Sequence, residues 1–351
     1  MRKYTSVRAF RDRISFLLDR KAITFHVISL LLLGVIFLIS VGMGEQLFSP
    51  WKALNIMLGN GSSFESLIVQ SFRMPRILIS ILVGISLAVA GAILQAILRN
   101  PLASPDVTGI TGGASVAVVL FLAIFSNESN ALTVSIHWMP LAAFIGATIV
   151  AILLYLLAWK NGLSSFRLVL IGIGLWALTK ALTNLFMIIG PIHQAAQANV
   201  WITGSVYGAN WNNVQILAPL TLVLLIIVFI MTRHLNIQEL GEDIALGVGA
   251  RIERQRFGLL LLSTALIGSS VAFAGGIGFV GLMAPHIARK LVGSSFGNLL
   301  PLSAIIGAIL VLLADTIGRT VFLPLEIPAG VFTAAIGAPY FIYLLYRQRN
   351  A

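Results

Sequence analysis

The 351-residue chain contains no cysteine, which excludes disulfide bonds and thiolate metal ligands. Charge is scarce as well. Charged residues are 10% of the total and apolar ones 58%, whereas a soluble domain carries roughly 25% charged residues. Acids are the rarer sign, 12 against 23 Lys and Arg. None of the lysines follows a glycine, so the G-x-x-x-x-G-K phosphate loop is missing. His26, His137, His193, His234 and His286 stand singly, without the i, i+3 or i+4 spacing of a metal site. Catalysis, a bound cofactor, a metal centre and a nucleotide site are therefore not expected of this chain.

What is present is membrane-like. Mean hydropathy is +0.97, and apolar runs of about 20 residues, each long enough to cross a bilayer core, recur along the chain. The expected fold class is all-α: a polytopic integral membrane protein with spans at 22–42, 77–98, 107–125, 139–158, 168–189, 214–232, 257–275, 279–289, 298–318 and 328–346. The eighth span is too short to cross alone and carries Pro285 and His286. The first apolar run exceeds the 7–15-residue core of a signal peptide and reads as a retained span. A net charge of +11 then marks orientation rather than nucleic-acid binding, because Lys and Arg flanking spans collect on the cytoplasmic side. The basic block 1–21 and the C-terminus with Arg347 and Arg349 are expected there, with 22–351 forming one transmembrane domain. Lys52, Arg73, Arg76 and Arg319 fall outside, and Lys180 lies within a span.

In the second span Ser80, Gly84, Ala88, Ala92 and Ala96 recur every four residues and form a small-residue ridge, which lets helices pack closely in lipid. Gln95 beside it is placed either to hydrogen-bond across helices or to face a pathway. The stretches SLAVAGAIL (86–94) and SVAFAGGIG (270–278) echo each other as an inverted repeat would. Asp315 and Arg319, four apart, are spaced to pair. Arg73, Arg76 and Arg319 on a face normally poor in cations suit docking of a partner's carboxylates or contact with headgroups. Residues 233–256, RHLNIQELGEDIALGVGARIERQR, form the one long charged internal segment, where most connections run about 2–8 residues. That segment is built to meet something in water.

The motifs RMPR (73–76), Gly84, Ala90-Gly91, Gln95, RNPLASP (99–105), Gly109 and GGA (112–114) resemble those of FecCD-type permeases. So do WITGS (201–205), LGEDIALGVG (240–249), GIGFVGLMAPHIAR (276–289), LPLSAIIGA (300–308), ADTIGR (314–319) and EIPAGVFTAAIGAPYF (326–341). Such permeases are membrane subunits of ABC importers for iron(III)-siderophores, haem and cobalamin. The resemblance implies the ten-helix type II importer fold, two permease subunits (a second copy or a paralogue), two cytoplasmic ATPase subunits and a solute-binding protein outside. By motif position it implies that Arg73, Arg76 and Arg319 dock the binding protein. Likewise it implies that the 233–256 loop, with Glu239, Gly241, Glu242, Gly247, Gly249 and Arg251, couples to the ATPase. Gln95, Asn100, Pro101, Pro285 and His286 are candidates for pathway or gating, since NPLASP and the FVGLMAPH stretch either line the pathway or brace it. The expected cargo is an iron(III)-chelate crossing the cytoplasmic membrane. Cobalamin or haem on the same fold, or secondary transport without ATP, are the alternatives.

Overall fold

The computed structural model describes residues 4–9, 14–126, 133–160, 164–190, 192–247, 249 and 251–349. Parts of the expected basic block, 1–3 and 10–13, lie outside the described residues. Residues 4–9 and 14–19 of that block pair as an antiparallel hairpin, β1 (Tyr4–Ala9) with β2 (Ile14–Asp19). The Asp19 side chain then accepts from the Lys21 amide at 2.9 Å and starts the first helix, satisfying one of its otherwise unpaired N–H groups.

With no water in the bilayer core, the apolar runs satisfy their backbone polar groups internally and become helices. They are α1 (Arg20–Gly42), α2 (Pro50–Met57), α3 (Ser63–Ser66), α4 (Met74–Leu98), α5 (Ile110–Ile124), α6 (Met139–Ala158), α7 (Ser165–Ile189) and α8 (Ile192–Thr203). After them come α9 (Trp211–Ile230), α10 (Thr232–Leu240), α11 (Glu242–Gly247), α12 (Ile252–Ala274), α13 (Val280–Val292), α14 (Phe296–Thr320) and α15 (Ala329–Arg349). A π-helical turn, Leu67–Arg73, joins α3 to α4. Each of the ten expected spans has a helix. Eight are long and apolar enough to cross a membrane.

The other two differ from expectation. The third span begins at Ile110 rather than 107 and is 15 residues long, about 22 Å, and α13 has 13 residues, about 20 Å. Neither covers a core of about 30 Å. The reason for both is a broken backbone inside the bundle. α12 stops at Gly275 (φ +65°), and the chain turns through Phe279 (φ +65°) before α13 starts. Gly281 in the first turn of α13 meets Leu87, near the middle of α4. On the facing side Pro105 packs on Gly281, and the Asp106 carboxylate accepts from the Phe279 amide at 3.2 Å. Irregular backbone at membrane depth is tolerated where protein covers it in this way.

Helices α4, α12 and α14 form the centre. Buried residues make up 78% of the apolar stretch of α4 and only 11% of that of α1. The expected small-residue ridge is buried throughout, from Ser80 to Ala96. At its crossing with α14, a Cβ on Gly84 would stand 2.3 Å from the Gly307 carbonyl oxygen, and one on Gly91 1.8 Å from that of Gly281 on α13. The exposed Leu30, Leu31, Ile149, Leu156, Val223 and Ile342 cover the periphery of α1, α6, α9 and α15, the surface that lipid tails wet.

Contacts fix the two ends of the bundle. Arg99 at the end of α4 and Arg256 at the start of α12 both reach Gln238 of α10, so α4 and α12 run antiparallel, as an inverted relation requires. The sequence echo itself extends only partway. Residues 86–94 are wholly helical, whereas 270–278 leave the helix after Ala274. At the opposite end, the end of α1, the start of α4 and the end of α14 converge on Arg73, Arg76 and Arg319.

Candidate functional site

The arginine end is built from α1, α4 and α14. All three arginines line one depression of about 400 Å³, together with Glu45, Gln46 and Glu326. Two of them are nevertheless buried and already engaged. Arg73, 7% exposed, donates from Nη1 to the Val41 carbonyl and from Nη2 to that of Gln46, both at 2.6 Å. Arg319, 6% exposed, donates from Nη1 to the Met43 carbonyl at 2.9 Å. Its Nη2 reaches the Ser40 hydroxyl, also at 2.9 Å, and the Ser40 carbonyl. Of these acceptors, Ser40 and Val41 supply two of the last carbonyls of α1, which lack partners within their own helix and carry the negative end of its dipole. Two guanidinium forks meet both needs.

Arg76 has a different task. It grips Asp315 with Nε at 3.0 and 3.1 Å and Nη2 at 2.8 Å, and Nη1 reaches Glu326 at 2.8 Å. The expected Asp315–Arg319 pair is therefore secondary, with Arg319 Nε 3.8 Å from the carboxylate. The i, i+4 spacing brings that pair near, but the planar fork of Arg76 comes in from α4 with better geometry. Sequence spacing gave no sign of a partner so distant in the chain.

The opposite end carries the charged segment as two short helices. α10 is fastened to the bundle from several directions. Its Leu235 is fully buried and its Gln238 is 1% exposed. The Gln238 carbonyl accepts from Arg99 Nε at 3.0 Å, and its side-chain oxygen from Arg256 Nε at 3.1 Å. Asn236 Oδ1 accepts from the Phe296 amide at 2.9 Å, at the start of α14. Glu239 forms an ion pair with Arg289 of α13. Any push on α10 therefore reaches α4, α12, α13 and α14 together. Arg289 stands inside the quoted HIAR motif but was not singled out, because nothing in the sequence joins it to Glu239.

α11 is different, because its two large apolar side chains face outward. Ile244 and Leu246 are 55% and 59% exposed, and Leu240 just before it is 58% exposed. Leu246 and Arg251 line a cleft of about 590 Å³ with Trp159 and Phe257. Glu242 opens α11. Gly241 and Gly249 have φ of +114° and +78°, a region that L side chains enter only with strain. Gly247 is different: it ends α11 at ordinary φ with open space around it, so neither backbone nor packing requires glycine there.

The proposed pathway residues divide. Gln95, 2% exposed, donates from Nε2 to the carbonyls of Ala103 and Leu282, each at 3.4 Å. It ties the NPLASP turn to α13. Asn100 accepts from the Leu102 amide at 2.9 Å, turning the chain at Pro101 as an Asx turn does. These contacts hold the NPLASP turn against α4 and α13. Pro285 is buried inside α13. His286, 9% exposed, lies edge-on to Tyr340 of α15 with ring centroids 5.8 Å apart. Neither of its ring nitrogens has a hydrogen-bond partner among the described residues.

This architecture has known counterparts. The chain is 59% identical to the "Probable siderophore transport system permease protein YfhA" of Bacillus subtilis (strain 168), over 95% of this chain and 97% of that one. It is 44% identical to the achromobactin transport system permease protein CbrC of Dickeya dadantii (strain 3937), over 92% of this chain and 91% of that one. A solved structure described as "An inward-facing conformation of a putative metal-chelate type ABC transporter" superposes with a TM-score of 0.79 at 30% identity, covering 93% of this chain and 99% of that one. The model of the FecCD transport family matches residues 31–347. From α1 to α15, then, the chain belongs to the FecCD transport family.

Proposed function

We propose that the chain is the membrane-spanning permease subunit of an ATP-driven importer that passes iron(III)-siderophore complexes across the cytoplasmic membrane. The observation that carries this reading is the match, end to end, to a siderophore permease at 59% identity. The two ends of the bundle support it. Separate ATPase subunits would grip the exposed apolar side chains of α11. α10, fastened to four helices, would hand that movement to the bundle. Residues 1–21 and the C-terminus would lie on the same cytoplasmic side, with 22–351 as the transmembrane domain.

On the outer side a solute-binding protein would dock over the depression that Arg73, Arg76 and Arg319 line. A second permease subunit completes the pathway. The half-depth start of α13, and His286 lying against α15 without a hydrogen-bond partner among the described residues, support a gate between those two helices. The iron travels inside its chelator, so the chain needs no metal ligands of its own.

The test is uptake of radioactive iron from a panel of iron(III)-siderophores in a strain deleted for this chain. Uptake of one chelate is expected to vanish on deletion, return with the wild-type chain, and stop when ATP is depleted with the proton gradient held. Uptake that continues without ATP would overturn the importer reading in favour of a secondary carrier.

A further inference from the structure

Lys180 is an ammonium on the outer surface of α7, more than two turns from either end. It is exposed and, among the described residues, has neither a carboxylate nor a hydrogen-bond partner. The nearer end of α7 is nine residues away, about 14 Å. A four-carbon stem does not carry the ammonium that far, even where the helix ends project beyond the core. Packing places this position deep as well. A Cβ on Gly112, in the first turn of the half-depth helix α5, would stand 2.1 Å from the hydroxyl of Thr179, the residue before Lys180. A lysine at this depth costs several kcal/mol against lipid and is found facing protein or water.

Its neighbours on the helix agree. α7 packs against α5 and the 105–108 turn through Leu168, Gly172, Leu175, Thr179 and Thr183, all buried. Over its middle turns Gly174, Ala177, Lys180, Ala181 and Asn184 form one small and polar strip at helical spacing, with the exposed Ile173, Trp176 and Leu178 beside it. The flanking turns return to Phe166, Leu170, Leu185 and Ile188 on the exposed surface. A polar strip confined to mid-depth is wrong for lipid and right for an aqueous route. Because it lies on the outside of a single chain, another subunit must close that route.

Resting on the permease reading above, we propose that the Gly174–Asn184 strip lines the water-filled route between the two permease subunits, and that the Lys180 cation selects a net-anionic chelate. An ammonium there attracts the uncompensated oxygens of an anionic iron complex and offers nothing extra to a neutral one.

The absence of cysteine makes the placement directly testable, because Lys180→Cys and Ala177→Cys in the strip, and Leu178→Cys at the same depth outside it, are each the single thiol of their chain. In membranes holding the assembled transporter, a charged, membrane-impermeant thiol reagent is expected to label the first two at least roughly tenfold faster than the third, since the thiolate that reacts forms in water. Equal, slow labelling of all three would overturn the aqueous placement, whatever the cargo. For selectivity, uptake is measured with iron-55 citrate, which is anionic, and iron-55 ferrichrome, which is neutral, alongside the panel member that the wild type imports. Lys180→Met is expected to lower uptake of an anionic chelate roughly tenfold, the loss of one charge-assisted contact, while Lys180→Arg restores it. A wild type that imports only a neutral chelate, or a Lys180→Met variant that imports an anionic one normally, would overturn the selection. A wild type that imports no chelate would refute the permease reading instead, and the labelling result would still stand.

Discussion

Replacing Arg76 by alanine is expected to cost the protein about 3–5 kcal/mol, the penalty for leaving a buried charge without its partner. The stranded group is Asp315, 2% exposed and held by three hydrogen bonds from Arg76. Arg319 cannot take over. Its Nε is 3.8 Å away, and its two terminal nitrogens are committed to Ser40 and Met43. If the cost is the orphaned carboxylate, removing that charge should recover part of it. Arg76→Ala with Asp315→Asn is therefore expected to be at least about 1 kcal/mol more stable than the sum of the two single changes, as residues in one network couple. Thermal unfolding of the four proteins in detergent gives the cycle. Additive losses would mean that the pair contributes nothing to the bundle.

The second large effect is steric. Gly91→Ala is expected to cost about 3 kcal/mol or more, at or above the upper end for overpacking, because the new methyl would lie 1.8 Å from the Gly281 oxygen and within 2.6 Å of that residue's backbone carbons. Backbone on both sides cannot yield, so α4 and α13 must separate, and close approach is what associates helices in lipid. Gly258→Ala is the control. It lies in α12 and meets only the tip of Met231 at 3.5 Å, so better helix propensity should leave it neutral or slightly stabilised. Equal unfolding temperatures for the two variants would contradict the close crossing.

Much of this fold is legible in the sequence because lipid enforces one simple rule, that apolar runs become helices. The spans and the small-residue ridge follow from that rule. What was not legible is which residues meet across the bundle. The ridge gave Gly84 and the motif match gave Gly91, but neither gave the partners Gly307 and Gly281. Arg73 and Arg319 read as free surface cations because a topology map contains no neighbours, whereas the structure aims both at the carbonyls ending α1. Composition also does not distinguish the three glycines of the coupling segment, of which only Gly241 and Gly249 have positive φ. The charged composition of 233–256 marked it as wet. Its most telling part, the exposed Ile244 and Leu246 on a six-residue helix, is hidden from composition because both residues count as apolar.

Those two side chains carry the central claim, that α11 is where a separate ATPase holds the permease. Each would bury its apolar surface in that contact, a gain of about 1.5–3 kcal/mol per side chain. The direct measurement is the amount of ATPase subunit that purifies with an Ile244→Asp, Leu246→Asp permease from membranes containing all subunits. The account predicts that the ATPase is lost while the permease keeps the wild-type unfolding temperature, since neither side chain packs in the core. A double variant that retains the ATPase at wild-type stoichiometry and still imports its chelate would contradict it.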